Sequence, residues 1–226
     1  MALTGVDVSQ RASASDIVFE ALRRAIITGE MKDGDPLRQD AIARLFNTSR
    51  IPVREALTML EQQGLVQTRR YKGAVVTGLS VDDADEIFDF RYLVEAHVIR
   101  AAVPRMTPGL LAEAGAICEA LAVERDPQPW GDLNRAFHAT LLGASGLSFH
   151  LAALGNAMDR LDRYVRAQLL LTEGHERSNT EHRAILAACA AGDADGAADL
   201  TVAHIHGAHQ SLRAHLDGIK AGFGTG

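Results

Sequence analysis

Cysteines, aromatic residues and long apolar runs are all scarce in this sequence. The two cysteines, Cys118 and Cys189, lie in Ala-rich stretches without Cys-x-x-Cys spacing. This spacing argues against a disulfide or a redox pair and favours buried thiols. No apolar run approaches the roughly 20 residues of a membrane span, and the amino terminus lacks the pattern of a signal peptide. These absences predict a cytoplasmic protein without membrane contact.

The charge is divided unevenly along the chain. The net charge is −6 over 226 residues. Residues 1–79 carry 11 Lys and Arg against 9 Asp and Glu, a net of +2, and the remainder carries 12 against 20, a net of −8. We therefore expect two domains, 1–79 and 80–226, with 1–14 as a loose tail. An acidic surface repels nucleic acid, so any DNA contact belongs to the first domain.

The stretch from Leu37 to Val76 has the pattern of helix, tight turn and helix, followed by a hairpin. Helical spacing of apolar residues breaks at Asn47-Thr48-Ser49, resumes, and ends at Gly64. Leu65-Val66 and Ala74-Val75-Val76 are β-prone runs around a basic tip, residues 69–73. Before them we predict a first helix, Asp16–Thr28, and a turn-rich connection, residues 29–37. The pattern is typical of a winged helix-turn-helix.

The second helix of this unit begins with residues suited to DNA. Arg50 and Arg54 are four apart and share one helix face, where they can reach a phosphate or a guanine edge. Ser49 stands where an N-cap would stand, and Pro52 is tolerated in the first turn. The predicted DNA contacts come from the helix-turn-helix and the wing: Arg38, Ser49, Arg50, Arg54, Lys72 and Gly73.

Two motifs in this unit carry a family resemblance. Ser-Arg-Ile-Pro-Val-Arg-Glu-Ala-Leu (49–57) and Leu-Glu-Gln-Gln-Gly-Leu-Val (60–66) resemble the DNA-binding signature of the GntR family of bacterial transcription regulators. One recognition helix reads too few base pairs for specificity, so we expect a homodimer on a pseudo-palindromic double-stranded operator.

Beyond residue 80 the patterns are helical only. We predict an all-α antiparallel bundle that begins after the wing. Its six helices span about 81–103, 108–124, 130–143, 147–171, 178–190 and 193–219. Ser178 and Glu181 have the spacing of a capping box at the start of the fifth helix.

Three segments of this region resemble the FCD effector-binding domain of the FadR-type branch of GntR regulators. They are Phe-Arg-Tyr-Leu-Val-Glu (90–95), Asn-Arg-Ala-Phe-His (134–138), and residues 181–204 with their Gly-Asp turn. With the amino-terminal match, the resemblance covers about residues 15–217. It implies an effector pocket inside the bundle.

Four polar side chains in these segments are candidate metal ligands. Asn134 and His138, four apart, share a helix face, and His182 and His204 lie about equally far from the turn between their helices. In metal-binding FCD domains the matching positions carry one Asp and three His around a divalent ion. Imidazole ligands favour zinc or nickel, while Asn134 replaces a carboxylate with a weaker amide ligand. A metal-free polar pocket is the alternative.

Arginines are the candidate ligands for an anionic effector. Arg91 and Glu95 can form an exposed helix pair, but the family pattern points Arg91 into the cavity, where it could hold a carboxylate. Arg163 and Arg166 on the fourth predicted helix are the second candidates. His209 could line the same cavity as His204.

These features predict a ligand-responsive transcription regulator, a repressor of metabolic genes, that senses a small carboxylate. A metal-dependent, hydrolase-like enzyme is the alternative function. Glu181 is the one acid near the cluster that could act as a base, and the predicted capping box would occupy it.

Overall fold

The computed structural model describes residues 13–169 and 174–223, and the contacts divide the chain into two units, Met1–Gly78 and Leu79–Gly226. The predicted fold class, a winged helix-turn-helix followed by an all-α antiparallel bundle, is confirmed. Across the described ranges, no helix combines the length and apolarity needed to cross a membrane.

The first unit contains three helices and a two-stranded wing. Its elements are α1 (Ala14–Ile27), α2 (Gln39–Leu45), α3 (Arg50–Gln62), β1 (Val66–Arg69) and β2 (Gly73–Val76). The strands pair antiparallel with Val66 opposite Val76 and Arg69 opposite Gly73. Helix α3 packs on α1 and α2 through Val53, Ala56 and Leu60, which are fully buried. Because this apolar stripe faces the core, the opposite face of α3 is exposed to solvent.

Two details of this unit differ from the sequence prediction. Helix α1 begins at Ala14 rather than Asp16, because Ser13 is the N-cap and forms a capping box with Asp16. The connection before α2 contains a short extended segment as well as turns. Leu37 donates its backbone N–H to Ala74 at 2.8 Å, and Pro36 bridges Val75, so this segment extends the wing by a short third pairing.

The wing turns through two residues with positive φ. Lys72 donates its N–H to the carbonyl of Arg69 at 3.1 Å, and Tyr71 and Gly73 have φ of 66° and 72°. A side chain at Gly73 would meet no atom within 4 Å, so the requirement for glycine is conformational rather than steric. The turn leaves Arg70, Tyr71 and Lys72 exposed.

The second unit is built from helices throughout its described part. They are α4 (Val81–Ala102), α5 (Pro108–Val123), α6 (Pro127–Gly143), α7 (Ser148–Leu169), α8 (Gly174–Ala190) and α9 (Ala194–Phe223), with a short 3-10 turn at Val103–Arg105. Helix α4 packs along α9 and against α6 and α7, and α5 packs against α6 and α8. The ends of several helices differ from the predicted ones by one to four residues.

The main core of this unit surrounds Trp130, Phe137 and Leu121, and it includes both cysteines. Cys118 and Cys189 are free and buried, as expected. Burial raises the pKa of the Cys189 thiol to about 11, so this thiol stays protonated at neutral pH.

The predicted capping box at Ser178 is wrong. Helix α8 begins at Gly174, so Ser178 is buried inside the helix and cannot be its N-cap. The intervening residues 175–177 carry no helix breaker, and the helix continues through them toward its amino end. Glu181 is therefore available for another contact.

Two serine N-caps allow a matched test of capping. Ser80 accepts the backbone N–H of Asp83 at 3.0 Å at the start of α4, whereas Ser49 makes no side-chain capping bond at the start of α3. Ser80→Ala should lower the free energy of unfolding by about 1 kcal/mol. Ser49→Ala should change it by less than half as much in urea denaturation. Equal losses in the two variants would contradict the assignment.

Candidate metal centre and effector cavity

Three helices bring His138, His182 and His204 together inside the bundle. The rings are contributed by α6, α8 and α9, with centroid separations of 5.2, 5.2 and 4.7 Å. One nitrogen from each ring lies within 4.8 Å of the others. The short turn between α8 and α9 makes this possible, because His182 and His204 lie at matching heights on two neighbouring helices.

All three imidazoles are buried, at 8%, 0% and 6% exposure in chain order. Burial, followed by the neighbouring His204 and His182 and by Arg91, lowers the pKa of His138 well below its ordinary 6.5. Burial and His204 likewise lower the pKa of His182. Both rings are therefore neutral at pH 7 and offer lone pairs.

Glu181 orients one of the rings. Its Oε2 lies 2.7 Å from His204 Nδ1, and its Oε1 lies 3.4 Å from Arg177 Nε. Because an ionised carboxylate can only accept a hydrogen bond, His204 donates Nδ1–H and keeps the lone pair on Nε2. A carboxylate behind a histidine is the usual support of a metal ligand. Glu181 was not among the predicted site residues.

Unpartnered buried atoms test whether a metal fits. Both ring nitrogens of His182 and the Oδ1 atom of Asn134 are buried without a hydrogen-bond partner in the described part of the chain. Asn134 precedes His138 by four residues on α6. Three imidazoles and an amide oxygen suit a borderline divalent cation such as zinc or nickel, with coordination positions left open. The residues present fit such an ion.

Arg91 and Glu95 form a buried pair, so the reading of an exposed helix pair is wrong. Arg91 Nε lies 2.6 Å from Glu95 Oε1, and the side chains are 4% and 2% exposed. Helix α4 packs against α6, α7 and α9, and this packing removes the pair from solvent. The Arg91 guanidinium also lies over the Phe88 ring at 5.2 Å.

A cavity of about 330 Å³ adjoins the histidine cluster through His138. Its polar wall also includes Glu95 and Arg135, and its other walls are apolar side chains and glycines of α6 and α7. Of the predicted effector residues, Arg91 contacts the cavity only through Glu95. Arg163 lies on α7, but its side chain is outside the described residues.

Arg135 is the cavity residue that sequence reasoning missed. Its Nη1 lies 2.6 Å from Asp159 Oδ1 and its Nη2 lies 3.5 Å from Asp162 Oδ2, both on buried carboxylates of α7. The spacing of Arg135, His138 and Ala139 at i, i+3 and i+4 could have indicated a shared helix face.

The structure places His209 outside this cavity. Its Nε2 lies 2.6 Å from Asp85 Oδ1, its Nδ1 lies 2.6 Å from the Tyr92 hydroxyl, and its ring stacks on Phe88 at 4.5 Å. His209 thus packs between α4 and α9 in the smaller core of the second unit, away from the predicted cluster.

The predicted DNA contacts lie on exposed parts of the first unit. Ser49 is the N-cap of α3, and Arg50 and Arg54 follow on its exposed face. Arg38 is the N-cap of α2, and Lys72 and Gly73 form the wing tip. Arg50 pairs with Asp40, an exposed contact that phosphate can displace at low cost.

Two family models match the chain. The model of bacterial regulatory proteins of the gntR family matches residues 14–76, and that of the FCD domain matches residues 86–207. These two ranges contain every residue of the predicted metal, effector and DNA sites.

Similar proteins agree with these models. A GntR family member from Pseudomonas syringae pv. tomato str. DC3000 is 32% identical over 92% of this chain and 88% of its own, with a TM-score of 0.58. The gluconate operon transcriptional repressor of Bacillus subtilis is 32% identical over 62% of this chain and 58% of its own. The E. coli protein McbR/YncC, with 22% identity, a TM-score of 0.78 and coverage of 91% and 99%, shares the fold. The chain therefore belongs to the gntR family of DNA-binding transcription regulators with an FCD domain, and not to an enzyme family.

Proposed function

We propose that the second unit binds a divalent metal, zinc or nickel, through His138, His182 and His204, with Asn134 as a weaker ligand. A small carboxylate effector binds beside it. The observation that carries this proposal is the fully buried His182, whose two nitrogens have no partner in the described part of the chain. An unsatisfied buried polar group costs about 1–3 kcal/mol, which metal binding would recover.

The residues around the proposed metal have different roles. When bound, the metal supplies an electron-pair acceptor for a carboxylate oxygen. His138 belongs to both the cluster and the cavity wall, so it positions the ligand cluster at the cavity. Glu181 fixes the tautomer of His204 through its contact with Nδ1.

Two arginines are the candidates for the second contact of the effector carboxylate. Arg135 lies in the cavity wall, and its planar fork can share donors between Asp159 and a ligand. Arg91 lies behind Glu95 and close enough to His138 to affect its pKa. Arg163 remains a prediction from sequence.

We further propose that the winged unit reads a pseudo-palindromic operator as part of a homodimer in the cytoplasm. Arg50 and Arg54 would enter the major groove from the start of α3, with Ser49 and Arg38 on phosphates and Lys72 and Gly73 at the wing. We assign the protein as a repressor of metabolic genes, in line with the name of the Bacillus subtilis relative.

Metal content tests the ligand set. Untagged protein, stripped with chelator and resupplied with zinc or nickel, should bind about one ion per chain in mass spectrometry. His182→Ala should lose this ion because only two of the three imidazoles remain. Asn134→Asp should bind the ion more tightly because a carboxylate replaces an amide.

His150→Ala is the matched control, since His150 lies on α7 outside the cluster and its loss should leave metal content unchanged. Circular dichroism checks the fold of each variant. If unaltered protein takes up no metal, or if His182→Ala retains it stoichiometrically, the site is a metal-free polar pocket instead.

Operator affinity tests the recognition helix. Arg54→Ala should weaken specific binding by about 1–3 kcal/mol if Arg54 reads a base. Exposed Arg183 on α8 serves as the control, because Arg183→Ala changes the net charge equally in the acidic unit. Equal affinity of both variants in a gel shift would remove Arg54 from the interface.

The oligomeric state tests the homodimer. Light scattering of the full chain should give twice the 24.2 kDa chain mass when it is free, and that mass plus the mass of the DNA when it is bound to an operator fragment. Two recognition helices are needed to read matching half-sites. A mass corresponding to one chain, both free and per DNA fragment, would contradict the dimer.

A further inference from the structure

The effector cavity has two ends of different chemistry. Its polar end is formed by Glu95, Arg135 and His138, near the histidine cluster. The apolar remainder runs along one face of α6 and one face of α7: Ala139, Leu142, Gly143, Leu151, Leu154, Gly155 and Met158. From Arg135 to Leu142 the face of α6 extends by about 10 Å. This length accommodates a ligand body as well as a carboxylate.

The charged groups at the polar end are already paired with each other or with neighbours. Glu95 is held by Arg91 at 2.6 Å, and Arg135 is held by Asp159 at 2.6 Å. The Glu95 charge is therefore compensated and does not exclude a carboxylate from the metal side. These groups can serve one anionic head, but they leave few donors for further polar groups on a ligand.

The remaining walls offer no side-chain hydrogen-bond donor or acceptor. Leucine, alanine and glycine lack polar side-chain atoms, and the thioether of Met158 is only a weak acceptor. The backbone groups of these residues belong to α6 and α7, and at the end of α6 the carbonyls of Leu142 and Gly143 accept the N–H groups of Ser145 and Gly146. A ligand with several hydroxyl groups would lose its water contacts here without replacement, whereas an apolar body would gain by burial.

A glycine widens this apolar end. An added Cβ at Gly155 would meet no atom within 4 Å, although this residue is helical, half-buried and lines the cavity. Glycine inside a helix is unfavourable relative to alanine, so local stability does not explain Gly155. Its effect is to leave room beside Leu151 and Met158.

We infer that the effector is a monocarboxylic acid with an apolar body, and not a polyhydroxy acid such as gluconate. The inference rests on the proposed metal and carboxylate site and names the ligand class of that site. The inferred ligand class differs from the polyhydroxy acid in the name of the gluconate operon repressor of Bacillus subtilis.

Hexanoate and gluconate provide a matched pair, because each has six carbons and one carboxylate. Calorimetry on the full, metal-loaded chain should show hexanoate binding at least tenfold more tightly than gluconate. From butanoate to octanoate, each methylene group should tighten binding by roughly threefold to fourfold. Acetate, which has almost no body, should bind weakly but measurably.

Gly155→Leu tests where the apolar body lies. A leucine side chain at Gly155 fills open space, so it should abolish the dependence on chain length while acetate binding and metal content stay unchanged. Gly109→Leu is the control, because Gly109 is an exposed helical glycine of α5 outside the cavity. It should keep the full dependence on chain length.

The outcomes distinguish this inference from the proposed function. If gluconate binds as tightly as hexanoate, or if Gly155→Leu retains the dependence on chain length, the apolar class is wrong while the carboxylate site stands. If the metal-loaded chain binds neither acetate, hexanoate nor gluconate, the proposed effector site itself is wrong, and the inference falls with it.

Discussion

The function proposed for the second unit depends on three buried imidazoles that pack against one another. His182 carries the largest cost, because it is 0% exposed and neither of its nitrogens has a partner in the described part of the chain. An apolar residue would fill this position at lower cost, since an unpaired buried polar group is unfavourable by about 1–3 kcal/mol. The arrangement favours a site that accepts a partner over one optimised for stability.

The carboxylates around the cluster are held by arginines. Glu95 pairs with Arg91 within α4, Arg135 of α6 pairs with Asp159 and Asp162 of α7, and Glu181 pairs with Arg177 within α8. Glu95, Asp159 and Asp162 are buried, where an ion pair offsets part of the cost of removing each charge from water. These pairs fix the side chains that surround the histidines.

Local patterns were enough to predict much of the fold. The break at Asn47-Thr48-Ser49 separates α2 from α3, and the apolar spacing of α3 predicts its buried face. Equal distances from the turn between α8 and α9 were enough to expect His182 and His204 side by side, at 4.7 Å between ring centroids. Each of these inferences uses residues of one helix or of two helices joined by a short turn.

Contacts between distant segments could not be predicted in this way. The burial of Arg91 and Glu95 depends on the helices that pack against α4, and the pairing of Arg135 with Asp159 depends on how α6 lies against α7. The pairing of Pro36 with Val75 joins residues that are far apart in sequence, so no local pattern indicates it. The error at Ser178 was local: a capping-box spacing inside a longer helix misplaced its start by four residues and concealed the contact of Glu181 with His204.

Regulation requires that an effector bind the DNA-competent and DNA-incompetent states with different affinity. Two helices of the cavity wall are tied to the first residues of the second unit. Helix α4 contributes Glu95 and begins at Val81, about 21 Å away along its axis. Helix α7 contributes Leu154, and its Tyr164 hydroxyl accepts the backbone N–H of Leu79 at 2.7 Å. Leu79 and Val81, where the chain enters from the winged unit, are therefore each connected to a helix that lines the cavity.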